Sequence, residues 1–145
     1  MTRQKVKDIE SQLREDEGEI LHEYKDHLGF SSIGIGILID QRKGGGLLPE
    51  ESSFIFQNRM RILKGRLRKE LPWFEDLDEA RQGVLLNMAY QMGVEGLLKF
   101  KNTLASVKAR QYTAASVGML ESLWARQTPA RAERLATQMR TGVWQ

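Results

Sequence analysis

Residues 19–39 read EILHEYKDHLGFSSIGIGILI. Ile, Leu, Tyr and Phe dominate the stretch, and Gly29, Gly34 and Gly36 interrupt it. Short apolar runs broken by glycine are the pattern of small strands joined by tight turns. Two or three short antiparallel strands are therefore predicted, with a turn near Asp26 to Gly29. On the amino-terminal side the period changes. Val6, Ile9 and Leu13 recur at spacings of three and four, which places them on one face of a short helix. That helix should end near Gly18, because glycine takes the left-handed conformation that closes a helix without steric cost.

Downstream the chain reads as helical. Gly44-Gly45-Gly46 is a flexible connection, and Pro49 sits where a first helical residue is expected, with Glu50 and Glu51 near the positive end of the helix dipole. A helix from Pro49 to about Glu70 would carry Phe56, Met60, Leu63 and Leu67 on one face. Arg59, Arg61, Lys64, Arg66, Arg68 and Lys69 cover the rest, and Pro72 stops it. Asp78 can cap a helix running through Leu85, Met88 and Ala89 to Gly93. Further helices are expected over about 101–110, 113–121, 123–127 and 129–141, the last closed by Gly142. Strands gathered near one end and helices thereafter predict an α+β fold. One domain is expected over 1–145. It would comprise a strand-containing lobe at about 13–48, a connecting helix at about 49–71, and a helical lobe formed by 72–145 together with the first helix.

Composition narrows the function classes. Hydrophobic residues make up 41% and charged residues 28%, an ordinary globular balance that excludes disordered and fibrous classes. Cysteine is absent, so disulfides and thiolate metal sites are excluded. His22 and His27 read as exposed strand or turn residues, and two histidines do not make a metal site. No metal and no cofactor are expected. The formal net charge of +3 favours an anionic partner only mildly. The charged amino terminus, Met1 to Asp8, is followed by no apolar run that could serve as a secretion signal or a membrane span, so no stable membrane insertion is expected. No internal repeat is visible.

Among groups that can do chemistry, Glu17 should lie at the end of the first helix and Asp26 at the following turn. Both are places from which a side chain can face a cleft. Two carboxyl groups in unlike environments suit glycoside hydrolysis, one giving a proton to the leaving oxygen and the other activating water. With 19 Asp and Glu in the chain, many pairs share that spacing, and a solvated surface reading of the pair stays open.

The stretch Arg14-Glu15-Asp16-Glu17-Gly18, then Tyr24-Lys25-Asp26, Gly29 and Ser32-Ile33-Gly34-Ile35-Gly36, resembles the active-site region of the lysozymes of tailed bacteriophages. In that family a Glu is followed by an Asp and then by a Thr, at the spacing held here by Glu17, Asp26 and Ser32. A second block, Asn87 to Gly93 with Phe100, Asn102 and Leu104, resembles the family's central helix and cleft wall. A third, made of Trp124, Gln127-Thr128-Pro129, Arg131-Ala132, Arg134 and Arg140 to Trp144, resembles its carboxy-terminal region. Three blocks in the family's order cover most of the chain.

The resemblance implies a lysozyme-like fold and a muramidase. Such an enzyme hydrolyses the β-1,4 bond between N-acetylmuramic acid and N-acetylglucosamine in bacterial peptidoglycan, with inversion. By the same resemblance Glu17 is the acid, Asp26 the base, and Ser32 helps hold the attacking water. Leu38, Tyr90, Gln91 and Thr103 match cleft-lining positions; core packing is the competing reading for Tyr90. Arg131 matches an Arg that lies against the catalytic Glu, and Arg134 is placed to pair with Asp16. Gly34 and Gly36 let a sugar approach a tight strand pair. The implied protein is a monomer. It is made in the host cytoplasm without a signal peptide and acts on the wall after release through a membrane pore, or is carried in the virion.

Two departures stand out. Ser32 keeps the hydroxyl of the family's Thr but lacks the methyl that restricts its rotamer. Ile37 and Arg59 stand where the T-even branch has a His–Asp pair. Ile37 is therefore expected to be buried between the strands and the connecting helix, with the Arg59 charge in solvent.

Two rival readings differ in class. The basic helix 59–69 and the helix–turn–helix look of 101–121 would suit a nucleic-acid module. The basic residues are not interleaved with groups able to read base edges, so no nucleic-acid partner is expected. A glycan-binding domain without activity is the other alternative; a binding module has no need of a carboxylate pair and a hydroxyl.

Overall fold

The computed structural model describes Gln12, Arg14 and residues 18–25, 28–34, 37–38 and 46–145. The described residues are mostly helical and carry one small antiparallel sheet, an α+β architecture. By the clustering of its contacts the chain divides into two compact units, Met1–Phe56 and Gln57–Gln145.

In the first unit Gln12 and Arg14 are helical, and the Gly18 N–H donates to the Arg14 carbonyl at 3.0 Å. Gly18 has φ +73°, so the helix end falls where glycine was expected to close it. Three strands follow: β1 (Ile20–Lys25), β2 (Ser31–Gly34) and β3 (Ile37–Leu38), in the order β1-β2-β3. Tyr24 and Lys25 pair with Ser32 and Ser31, but Ile20 pairs with Gly34, so residues 21–23 bulge opposite the single residue Ile33. β3 pairs back through Ser32 with Leu38 and Ile33 with Ile37. Gly34 opens that turn at φ +66°, where a side chain would be strained. Ile37 was expected to be buried. It is 48% exposed, and its Cδ1 lies within van der Waals reach of the place a Gly34 β-carbon would take. The strand is too short to carry Ile37 beyond its own hairpin.

Helix α1 (Pro49–Glu70) begins with Pro49, and the Leu48 N–H donates to the Glu51 carboxylate at 2.9 Å, a side-chain cap at its start. Leu67 is buried, and Met60 and Leu63 pack partly against the core. Phe56, expected on that face, stays half-exposed.

The second unit is built around α2 (Glu79–Leu98). The Asp78 carboxylate accepts from the Arg81 N–H at its start, as the capping pattern predicted. Ala80, Val84, Leu85, Leu86, Met88, Ala89, Val94 and Leu97 are buried, so the helix is apolar around much of its circumference and runs through the middle of its unit. The predicted stop at Gly93 is a break rather than an end. Gly93 adopts φ +81°, ψ 161°, and a last helical stretch continues to Leu98. Around α2 stand α3 (Lys101–Lys108), α4 (Tyr112–Leu120), α5 (Leu123–Gln127) and α6 (Pro129–Thr141). These bounds lie within two residues of those expected, and Gly142 closes α6 at φ +71°.

Arg81 ties three of these helices. It donates from Nε to the Met139 carbonyl at 2.7 Å and from Nη2 to the Arg140 carbonyl at 3.2 Å, occupying the free carbonyls at the end of α6. Its guanidinium lies 3.6 Å from the centre of the Tyr112 ring. Gly83 leaves room for the Trp144 indole, which a β-carbon there would overlap. Gln138, buried, donates to the Ala80 carbonyl at 2.7 Å.

Candidate functional site

The strand unit contributes a row of side chains. Directly opposed residues in an antiparallel sheet point to the same face. Tyr24, Ser32 and Leu38 are mutual partners across β1, β2 and β3, so they stand side by side. Ser32 on the central strand is 4% exposed, Tyr24 is half-buried and Leu38 is exposed. Two of the expected site residues, Ser32 and Leu38, are thus neighbours, with Tyr24, quoted in the matching stretch but given no role, as a third member. Gly34 ends the same strand. Glu17, Asp26 and Gly36 lie outside the described residues, as does Asp16, the expected partner of Arg134.

The helical unit contributes an exposed face of α2. Asn87, Tyr90 and Gln91 lie at spacings of three and four on one side of the helix, with the buried Leu85 on the other. Tyr90 is 55% exposed, so core packing is not its role. Two struts from neighbouring helices brace this face. Arg131 of α6 donates to the Asn87 Oδ1 from Nε at 2.9 Å and from Nη2 at 2.6 Å. Trp124 of α5 donates from its indole nitrogen to the Gln91 Oε1 at 2.9 Å. The Phe100 ring meets the Trp124 indole edge-on, with centroids 6.2 Å apart.

The Trp124 bond fixes what Gln91 can do. An indole N–H only donates, so the amide must turn its oxygen inward. Its NH₂ group then faces solvent, where it can donate to an acceptor such as an acetamido carbonyl. Thr103, also expected to line the cleft, is buried on α3 against Gly118 of α4, where a β-carbon would collide with its hydroxyl.

The electrostatics around this face are simple. Arg66 donates to the Glu95 carboxylate at 2.6 Å and holds it below the ordinary carboxylate range; Glu95 lies just past the Gly93 break. His22 is exposed, with Nδ1 3.0 Å from the Glu23 carbonyl. Among the described residues no three His, Cys, Asp or Glu side chains are grouped so as to hold a metal ion. Nor, among them, is any helix long and apolar enough to cross a membrane.

No protein-family model matches the chain. Individual proteins do. Over 95% of its length the chain is 28% identical to the probable T4-type lysozyme 1 of Dictyostelium discoideum, spanning 96% of that protein. Over 90% of its length it is 30% identical to the pre-baseplate central spike protein Gp5 of Enterobacteria phage T4, spanning 27% of it. It is also 30% identical over 80% of its length to the peptidoglycan hydrolase gp36 of Pseudomonas phage phiKMV, spanning 13% of that protein.

The chain belongs to the phage-type lysozyme family.

In this phage-type lysozyme the braced polar residues of α2 include one that sequence reasoning passed over. Asn87 was quoted within a matching block but given no role. The signal for it was its place four residues before Gln91, which puts both on one helix face. Nothing in the sequence pointed to Trp124 as the partner that orients Gln91. That pairing joins positions 33 residues apart and needs the packing of α5 on α2.

Proposed function

We propose that this phage-type lysozyme is an inverting muramidase that degrades the host cell wall for a bacteriophage. In coarse terms it is a peptidoglycan hydrolase of the glycosidase type, as its relatives named lysozyme and peptidoglycan hydrolase support. The observation that carries the finer reading is the Glu17, Asp26 and Ser32 series, set within a likeness that runs the length of a T4-type lysozyme.

The proposed step breaks the bond between the anomeric carbon of N-acetylmuramic acid and the bridging oxygen of N-acetylglucosamine. Glu17, protonated, gives its proton to that oxygen as the bond opens. Asp26, ionised, takes a proton from a water that attacks the anomeric carbon from the opposite face. The Ser32 hydroxyl hydrogen-bonds this water, and its burial in the middle strand suits a group that must be held still. Inversion needs the two carboxyl groups roughly 6.5–9.5 Å apart, so that the water fits between sugar and base. Arg131, held by Asn87, is the cation that the family likeness assigns to the acid. The outward NH₂ of Gln91 donates to a sugar acetamido oxygen, and the exposed Tyr90 of α2 and Leu38 of the strand unit are further glycan contacts. Gly34 and Gly36 let the glycan come close to the hairpin.

Product analysis tests this. Purified peptidoglycan digested by the protein and then reduced should yield muramitol ends, and the first-formed hemiacetal should be the α anomer. Glucosaminitol ends would overturn the bond specificity. A first-formed β anomer would overturn inversion. No new reducing ends at all would leave a glycan-binding domain without activity.

A further inference from the structure

Helix α1 is long, basic and scarcely buried. Of its 22 residues Leu67 is the buried one. From Gln57 to Lys69 the sequence holds six cations, Arg59, Arg61, Lys64, Arg66, Arg68 and Lys69, and no acid, though Arg66 is paired with Glu95 and Arg68 with Glu75. A basic surface helix usually fills its outer face with polar groups. This one places apolar side chains there as well. Phe54 is 73% exposed and Ile62 is 47% exposed, and Ile55 is exposed beside them.

The helical period sorts these residues. Ile55 and Ile62, seven apart, lie on nearly the same line on the side away from Leu67, and Phe54 lies on that side about a quarter turn away, across Glu51 and Asn58. Lys69 continues the line toward the carboxy-terminal end. Arg61 flanks the strip on one side and Arg59 on the other. An apolar strip edged by long cationic side chains matches an interface with hydrocarbon below and anionic head groups above: the strip enters the acyl boundary, and the arginines reach back to phosphates. A soluble polyanion would use the cations and gain nothing from the isoleucines and Phe54.

We infer that the outer face of α1 is a peripheral binding surface for an anionic phospholipid bilayer. The helix lies in the head-group plane and does not span the membrane. Charge complementarity supplies most of the attraction. Each Lys or Arg brought near an anionic leaflet strengthens binding by about fivefold. The apolar strip then distinguishes lipid from other polyanions.

Sedimentation of the full chain with vesicles tests the inference. One set is made of phosphatidylcholine alone, the other of phosphatidylcholine with phosphatidylglycerol. Binding is expected to the anionic vesicles only, and to weaken as salt rises. The double variant Arg61→Gln/Lys69→Gln should lose about 25-fold in vesicle affinity. Ile62→Ser should weaken vesicle binding while leaving retention on DNA unchanged. All these positions are on the exposed face, so thermal melts and hydrolysis of membrane-free peptidoglycan should match wild type. Equal binding to neutral and anionic vesicles, or none to either, would overturn the inference. So would Ile62→Ser binding vesicles like wild type while the charge variant loses vesicles and DNA alike, since the face would then be a general polyanion patch.

Discussion

Replacing Gln91 separates its two jobs, and the structure sets the size of each effect. Its Oε1 accepts from the indole of Trp124, which is 8% exposed. Gln91→Leu removes the acceptor and leaves that N–H without one. An orphaned buried donor costs about 1–3 kcal/mol. For a chain of this size each kcal/mol moves the melting temperature by about 4 °C, so Tm should fall by roughly 4–12 °C. Trp124→Phe removes the donor, so adding Gln91→Leu to it should cost much less than it does in wild type. That non-additivity is the signature of the bond. Gln91→Glu keeps an oxygen toward Trp124 but turns the outward NH₂ into a second acceptor. Its fold should be retained, while affinity for N-acetylated chito-oligosaccharides should fall by about tenfold through loss of one donor. Urea unfolding followed by tryptophan fluorescence reads the first effect, and calorimetric titration with the oligosaccharide reads the second. Additive losses in the Trp124–Gln91 cycle would mean the indole bond contributes nothing. Wild-type sugar affinity in Gln91→Glu would mean the amide hydrogens do not face the ligand.

Arg81→Met keeps the stem but removes the guanidinium from the two α6 carbonyls and the Tyr112 ring, and should destabilise by about 2–4 kcal/mol in urea unfolding. Glu95 is depressed by Arg66 in the folded state, so its contribution is complete above the ordinary carboxylate range and is lost as pH falls through its lowered value. Glu95→Gln should therefore make melting temperature less pH-dependent at the acid end only, as a series of melts across that range will show. Ser32→Thr should keep or modestly raise turnover, and Ser32→Ala should lower kcat more than it raises KM, because the lost contact is to water rather than sugar. A silent Ser32→Ala would remove the third member of the proposed series.

The helical part of this fold was legible because its signals are local. Asp78, through its carboxylate, and Pro49, Pro129, Gly18 and Gly142, through their backbones, each start or stop a helix locally, and the structure places those boundaries accordingly. Gly93 was read correctly as a helix breaker but wrongly as an end. Val94 and Leu97 have core contacts that re-form the helix beyond it, and glycine propensity carries no information about them. The same limit applies to Ile37 and Phe56. Periodicity placed Phe56 on the inner face, and the family's His–Asp pair placed Ile37 in an interface, whereas exposure depends on what packs against them. In the candidate site the strands were expected from the sequence, and the register that sets Ser32 beside Leu38 came with the structure. The Arg131–Asn87 and Trp124–Gln91 struts did not, because each joins helices far apart in the chain.

The central claim is that Glu17 supplies the proton that releases the leaving sugar. Glu17→Gln keeps the side chain's shape and removes that proton. General acid help is typically worth about 10²–10⁴-fold in rate. Reducing ends released from purified peptidoglycan should fall by at least that order, with the thermal melt and the binding of glycan fragments unchanged. Release at close to the wild-type rate by a folded Glu17→Gln protein would contradict the account.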